Sequence, residues 1–186
     1  MPDVQTMLRR YDALFEQQSV WRSVWQEIAN YQFPRKSDIT TRRSVGSKQM
    51  TKVFDSTPIH ANELLAASMQ GALTSAVIKW FSLKTRVNEL NDDPEIATWL
   101  NSSAGRVYLA LQQSNFNGEM QEVYLDLGAF GTGGMTLEEQ DPTAAAFSGF
   151  LFRSLPIGSY VIAENAAGLV DTAMFRLIMS VRAAYD

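Results

Sequence analysis

Few residues in this 186-residue chain have types and spacings that could do chemistry. Gly131-Thr132-Gly133-Gly134 is the first candidate, because glycine-rich loops cradle phosphates. It lacks the Gly-Lys-Ser/Thr ending that sets a lysine on the phosphates, and it follows a helical pattern instead of opening one. A helix C-terminus accounts for the run more simply, since glycine supplies the positive φ that ends a helix. His60 is the single histidine and lies near Asp55 and Ser56. One helical turn hardly gives the geometry of a Ser–His–Asp triad, and no Gly-x-Ser-x-Gly elbow is present. With one histidine and no cysteine, ligands for a zinc site are too few. The acidic pairs Asp92/Asp93 and Glu138/Glu139 invite an acid/base or Mg²⁺ role. Adjacent carboxylates in a strand point to opposite faces, and Asp93 suits a helix cap. The expectation is no catalytic residue, no cofactor and no metal ligand: not an enzyme.

One electrostatic feature stands out. Arg35, Lys36, Arg42, Arg43, Lys48 and Lys52 lie between residues 35 and 53 with Asp38 as the one acid, a net of +5. The whole chain carries −4, so the remainder carries −9. Ser, Thr and Gly fill the gaps, which favours a basic mobile loop. Such a segment can neutralise phosphates without reading sequence, so these six residues are candidate contacts to a DNA backbone. No aromatic residue lies between Arg35 and Lys52 to stack on bases. Half-apolar composition (46% hydrophobic, 19% charged) is that of an ordinary globular chain. No run of about 18 apolar residues occurs, so no membrane span is expected. Nor does a basic region followed by an apolar run open the chain. The baseline expectation is a soluble intracellular protein.

The elements that would position these residues read as α+β. Residues 1–34 suggest one long amphipathic helix over 4–31, with Val4, Met7, Leu8, Tyr11, Leu14, Phe15, Trp21, Val24, Trp25 and Ile28 at three- and four-residue steps. Trp21 and Trp25 would share one side and bury a large area there. Residues 35–53 form the basic loop. A helical region spans 54–131. Its first helix has Thr57 as cap and Pro58 as the first helical residue, and Gly71 weakens its last turn. A short strand at 76–86 carries Trp80 on one face and Phe81 and Leu83 on the other. Helices follow over 93–113 and 118–129. From 132 to 186 four alternating runs, separated by Pro142, Pro156-Ile157-Gly158 and Ala167-Gly168, predict an antiparallel meander.

Several runs in this order resemble one family. They are Trp21…Trp25…Ala29-Asn30-Tyr31…Pro34, then Phe54-Asp55-Ser56-Thr57-Pro58, then Leu64-Leu65-Ala66-Ala67-Ser68-Met69…Gly71…Leu73-Thr74. Trp80-Phe81, Ser114-Asn115-Phe116, Asp126 to Gly133 and Gly168-Leu169-Val170-Asp171-Thr172 continue the series. Together they look like the N-terminal portion of the podovirus-type bacteriophage head-to-tail connector, the portal protein. The resemblance implies a structural subunit of a homo-oligomeric ring, usually of twelve, at one capsid vertex of the virion. It implies capsid, terminase and tail proteins as partners, with double-stranded DNA passing non-specifically through the channel during packaging and ejection, and no membrane. Assembly would take place in the host cytoplasm. Trp21, Trp25, Trp80, Phe81 and Phe130 would pack subunits in an outer, wing-like region. Family members run to several hundred residues, so the expectation is an N-terminal fragment or a truncated prophage gene, an incomplete portal fold.

Two rivals remain: another non-enzymatic virion or adaptor protein, and a small nucleotide-binding enzyme using Gly131–Gly134. The enzyme needs a concave pocket with converging polar groups. The assembly protein needs exposed apolar surface where neighbours are missing.

Overall fold

The computed structural model describes residues 3–41, 44, 46 and 52–177. They form two compact units. Unit 1 comprises Met1–His60, Ala129–Gly134 and Leu155–Asp186; unit 2 comprises Ala61–Gly128 and Met135–Ser154. The α+β expectation holds, with six α-helices and two antiparallel two-stranded sheets among the described residues.

Unit 1 opens with α1 (Val4–Gln17) and α2 (Ser19–Gln32). One long helix was expected over 4–31, and the break at Gln18 corrects it. The carbonyl of Phe15, which in a continuous helix would accept the amide of Ser19, is bonded by the Arg22 guanidinium at 3.0 Å. That guanidinium also lies 3.5 Å from the Phe15 ring centroid. Arg22 thus holds the joint in place. After α2 the chain turns through a 3₁₀ segment, Pro34–Lys36. Gln26 then pins residues 37–40: its amide donates to the Ser37 carbonyl and accepts from Ile39 N–H and Thr40 N–H at 3.1 and 2.8 Å. The start of the basic segment is therefore fixed, contrary to a mobile loop from residue 35 onward.

Unit 1 also holds the hairpin of β3 (Tyr160–Glu164) and β4 (Val170–Phe175), paired Tyr160 to Phe175 through Glu164 to Val170, with an irregularity beside Glu164. Its loop is closed locally. The Asn165 side chain accepts from Ala167 N–H and Leu169 N–H, and Gly168 takes φ +73°. Residues 178–186, where the strand expectation continued, lie outside the described residues.

Most of α3 (Thr57–Leu73) belongs to unit 2. The Ser56 carbonyl accepts from His60 N–H, so Ser56 takes the cap position and the helix starts at Thr57, one residue earlier than expected. Asp55 accepts from both the Thr57 N–H and its hydroxyl, and these two bonds, the backbone one first, hold its carboxyl below the ordinary 3.8. Gly71 does not cut α3 short. The strand expected at 76–86 is absent. That stretch is irregular, held by side chains instead of a ladder, up to a one-turn α4 (Asn88–Asn91). Helix α5 (Pro94–Gln113) begins as expected, with Asp93 accepting from Glu95 and Ile96 N–H. Helix α6 (Phe116–Phe130) comes next.

Unit 2 is completed by β1 (Gly134–Glu139) and β2 (Phe150–Leu155), which pair with each other. The single four-stranded meander is thereby corrected to two separate ribbons. One reason is visible at Pro156: it lacks a ladder N–H, and its carbonyl closes a turn with Ser159 N–H at 3.0 Å. The outer edge of β2 is occupied by side chains of α6 and its N-terminal junction. Asn115 accepts from Phe152 N–H (2.9 Å) and donates to Phe152 C=O (2.7 Å), and Glu119 accepts from Ser154 N–H (2.6 Å).

Helices α3 and α6 approach closely at Gly128, where an added Cβ would collide with Asn62 Oδ1 and stand 3.3 Å from Leu65 Cδ2. Gly71, exposed in the same α3, has open space around it. Gly128→Ala is expected to destabilise by about 1–3 kcal/mol through overpacking. Gly71→Ala should stabilise by about 0.4–1 kcal/mol through the unfolded chain's lost entropy. Urea unfolding of the two variants checks this; equal effects would refute the close approach.

Candidate assembly surfaces

The five aromatics singled out for packing separate into anchors and exposed groups. Trp25 is 7% exposed, and its Nε1–H donates to the Phe130 carbonyl at 3.2 Å. The Phe130 ring meets Phe33 at 6.1 Å between centroids. Trp21, expected beside Trp25, is 62% exposed. Four residues advance a helix by about 400°, so Trp21 is rotated about 40° from Trp25 and one turn earlier. The rotation carries it off the buried stripe.

In unit 2, Trp80 stacks on Phe116 (6.2 Å, 14°) yet stays partly exposed, while Phe81 meets Trp80 edge-on at 5.0 Å and Tyr108 at 6.4 Å. Phe116 continues to Phe152 and Phe150, a connected series of rings. Phe81 is thus engaged within its own unit, as Trp25 and Phe130 are in theirs. Trp21 and Trp80 keep surface free for a neighbour.

The basic residues are split. Arg35 is exposed and Lys36 half-buried, both 5.5 Å from the Phe33 ring centroid. Lys52 is exposed. Arg42, Arg43 and Lys48 lie outside the described residues.

The glycine run sits at the end of α6 and beyond it. Gly131 has φ +73°, as a helix-ending glycine should. Thr132 Oγ1 lies 3.3 Å from the Tyr160 hydroxyl, and Gly134 lies flat on the Tyr160 ring, where an added Cβ would stand 3.3 Å from it. Gly131 and Thr132 border a cleft of about 360 Å³ with Leu14, Gln18, Trp21 and Ile162. Among the described residues no charged side chain lines this cleft. A second cleft in unit 1, about 310 Å³, holds Arg22, Asp38 and Arg176. Arg22 is already committed to Phe15. Among the described residues no three His, Asp or Glu side chains group as a metal site, and no helix is long and apolar enough to cross a membrane.

Large apolar side chains stand in solvent in both units. Phe54 and Val77 are each 89% exposed, and Ile78, Trp99 and Leu64 are 70%, 66% and 64% exposed. Single exposed apolar residues are ordinary. Here all but Phe54, which precedes α3, lie on α3, α5 and the turn after α3. Sequence reasoning missed Val77-Ile78 by placing them in a strand. A usable signal existed: no charged residue occurs from Leu64 to Ile78. It also assigned no role to Asn115, whose importance lies in two bonds to a strand far along the chain.

The described residues thus form ordered α+β units that leave large apolar side chains uncovered. Comparison with known proteins gives the family. Residues 4–186 match the family of bacteriophage head to tail connecting proteins, and the chain belongs to it. It is 30% identical over 167 residues to the "Probable portal protein" of Bordetella phage BPP-1, covering 89% of this chain and 29% of that one. It is 28% identical over 179 residues to the "Portal protein" of Salmonella phage epsilon15, covering 96% of this chain and 31% of that one. The chain thus spans about three-tenths of the length of these relatives.

The two tryptophans of α2 give a stability contrast. Trp25→Phe keeps a ring in place but leaves the buried Phe130 carbonyl without its donor, an expected loss of about 1–3 kcal/mol. Trp21→Phe should change stability by no more than about 0.5 kcal/mol. Chemical denaturation at unchanged m-value reads both. Equal losses would remove Trp25 as the anchor of unit 1.

Proposed function

We propose that the chain is a non-catalytic structural subunit of a phage portal, the head–tail connector at a capsid vertex. Membership of the connecting-protein family over residues 4–186 carries the reading. The portal names of the two relatives and the ordered apolar surface support it. On this reading copies associate into a homo-oligomeric ring around a channel for genome packaging and ejection. Capsid, terminase and tail proteins are its partners, the virion is its destination, and the host cytoplasm is where it assembles.

Light scattering on the purified chain tests the reading. A closed multiple of the 20.8 kDa chain mass is expected. A monomer at every concentration counts against it.

The basic segment adds a second measurable property. Arg35, Lys36, Arg42, Arg43, Lys48 and Lys52 are proposed to touch the backbone of passing double-stranded DNA, without sequence preference. Each phosphate contact contributes about 0.9 to the slope of log affinity against log salt. The triple variant Arg42→Ala, Arg43→Ala, Lys48→Ala should weaken duplex binding and flatten that slope by about 2–3 units, measured by fluorescence anisotropy across a salt series. An unchanged slope would make the segment a solvated loop only.

A further inference from the structure

A second basic stretch lies wholly within the described residues of unit 2. From Leu64 to Asn88 the chain has no acidic residue, and its charges there are Lys79, Lys84 and Arg86. All three side chains are exposed. Among the described residues none of the three is paired with a carboxylate or hydrogen-bonded through its side chain. Unlike the segment at 35–53, this one carries aromatic residues between its cations. Trp80 and Phe81 follow Lys79 directly, and Trp80 keeps 42% of its surface in water.

The stretch has no regular structure, yet it is fixed at both ends and in the middle. The Ala76 carbonyl accepts from the Tyr108 hydroxyl (3.1 Å) and the Gln112 side-chain amide (2.9 Å). Trp80 lies nearly parallel to Phe116, 14° between planes, and Phe81 meets Tyr108. At the far end Asn91 accepts from the Thr85 N–H (2.7 Å) and donates to the Thr85 carbonyl (3.2 Å). The three cations and the indole are therefore displayed from a held backbone, so less ordering entropy is lost when a ligand binds. A ligand that suits them carries negative charges along its length and flat rings between those charges. An acidic peptide supplies the charges without the repeated rings. A duplex supplies phosphates, but its bases are stacked on one another. A single nucleic-acid strand supplies both, since every unpaired base offers a π-face to an aromatic side chain.

We propose that Lys79, Trp80, Lys84 and Arg86 form a contact for single-stranded nucleic acid, the cations holding phosphates and the indole meeting a base. The phosphate contacts are independent of sequence, and stacking tolerates any base. The contact uses one copy of the chain and does not depend on ring assembly. Its failure therefore leaves the portal reading intact, and a monomeric chain still shows it. It is also separate from the duplex-backbone contact proposed for residues 35–53, which has no ring to offer a base.

Fluorescence anisotropy of labelled oligothymidine and of a duplex of equal length, each titrated with the full chain across a salt series, tests the proposal. Lys79→Ala, Lys84→Ala and Arg86→Ala in one chain should weaken oligothymidine binding and flatten its salt slope by about 2, since each phosphate contact on a single strand contributes about 0.7. Trp80→Leu should weaken oligothymidine binding severalfold with the slope kept, and leave duplex binding as it was. Because Trp80 also packs on Phe116, a gentler variant supplies a second readout. Oligothymidine should quench the indole emission of the unsubstituted chain, and Trp80→Phe, which retains a ring on Phe116, should abolish most of that quench. An unchanged salt slope in the triple variant overturns the proposal. So does a Trp80→Leu loss that is equal for single strand and duplex. So does a quench that survives Trp80→Phe or is absent from the start.

Discussion

The bond from the Trp25 indole to the Phe130 carbonyl organises unit 1. A helix end leaves its last four carbonyls without intrahelical donors. Phe130 is the last residue of α6, and its carbonyl is buried with the ring of Trp25. If that carbonyl were unsatisfied, burial would be unfavourable by a margin comparable to the whole contact. Once it is bonded, the consequences run along the chain. The Phe130 ring is placed on Phe33. Gly131 turns the backbone, Thr132 meets the Tyr160 hydroxyl, and Gly134 covers the Tyr160 ring. Helices of fourteen residues and a two-stranded ribbon are each marginal alone. They become one unit because segment 129–134 is fixed against both.

Unit 2 solves a different problem, the exposed edge of a two-stranded ribbon. Residues 115 and 119 are four apart, a rise of roughly 6 Å at the start of a helix. Residues 152 and 154 are two apart on β2, roughly 6.6 Å. The two repeats nearly coincide, so Asn115 and Glu119 reach the backbone of Phe152 and Ser154 in register. Side chains thereby do at one edge what a third strand would have done. The edge is also closed to another strand, which protects it from mispairing.

Local signals in the sequence were dependable where the cause was local. Asp93-Pro94 started α5, Gly131 ended α6, and Gly168 marked the β3–β4 loop, because capping and positive φ depend on near neighbours. The failures share a non-local cause. The periodicity of residues 4–31 is continuous, yet an Arg22 side chain diverts one carbonyl and breaks the helix at Gln18. Residues 76–86 have the alternation of a strand but no strand beside them, and rings stacked on Phe116 and Tyr108 take over. Four alternating runs looked like one sheet because alternation says which residues face a core, not which strands pair. Trp21 and Trp25 were assigned a common fate from spacing alone, although a 40° rotation was enough to separate buried from exposed.

Helix α3 shows how an element can be ordered and still leave apolar side chains in water. Between Thr57 and Leu73 its one acidic or basic side chain, His60 aside, is Glu63, so it carries little charge and its polar residues are mostly uncharged. An apolar helix surface is normally turned to a core. Only Ala66 of α3 is buried, and Leu64, Leu65 and Leu73 stand largely in water. What holds the helix is directional and polar. Asn62 donates to the Leu125 carbonyl, Gln70 to the Asn117 carbonyl, and Thr74 shares a hydrogen bond with the Tyr124 hydroxyl. Such bonds set register while consuming little apolar area. The hydrophobic driving force, about 25 cal/mol for each Å² removed from water, stays unspent on the opposite face. Had leucines done the work of Asn62, Gln70 and Thr74, the unit would be more self-sufficient but its register less defined. Polar anchors thus fix the register of α3 within unit 2 while its leucines are left as apolar surface.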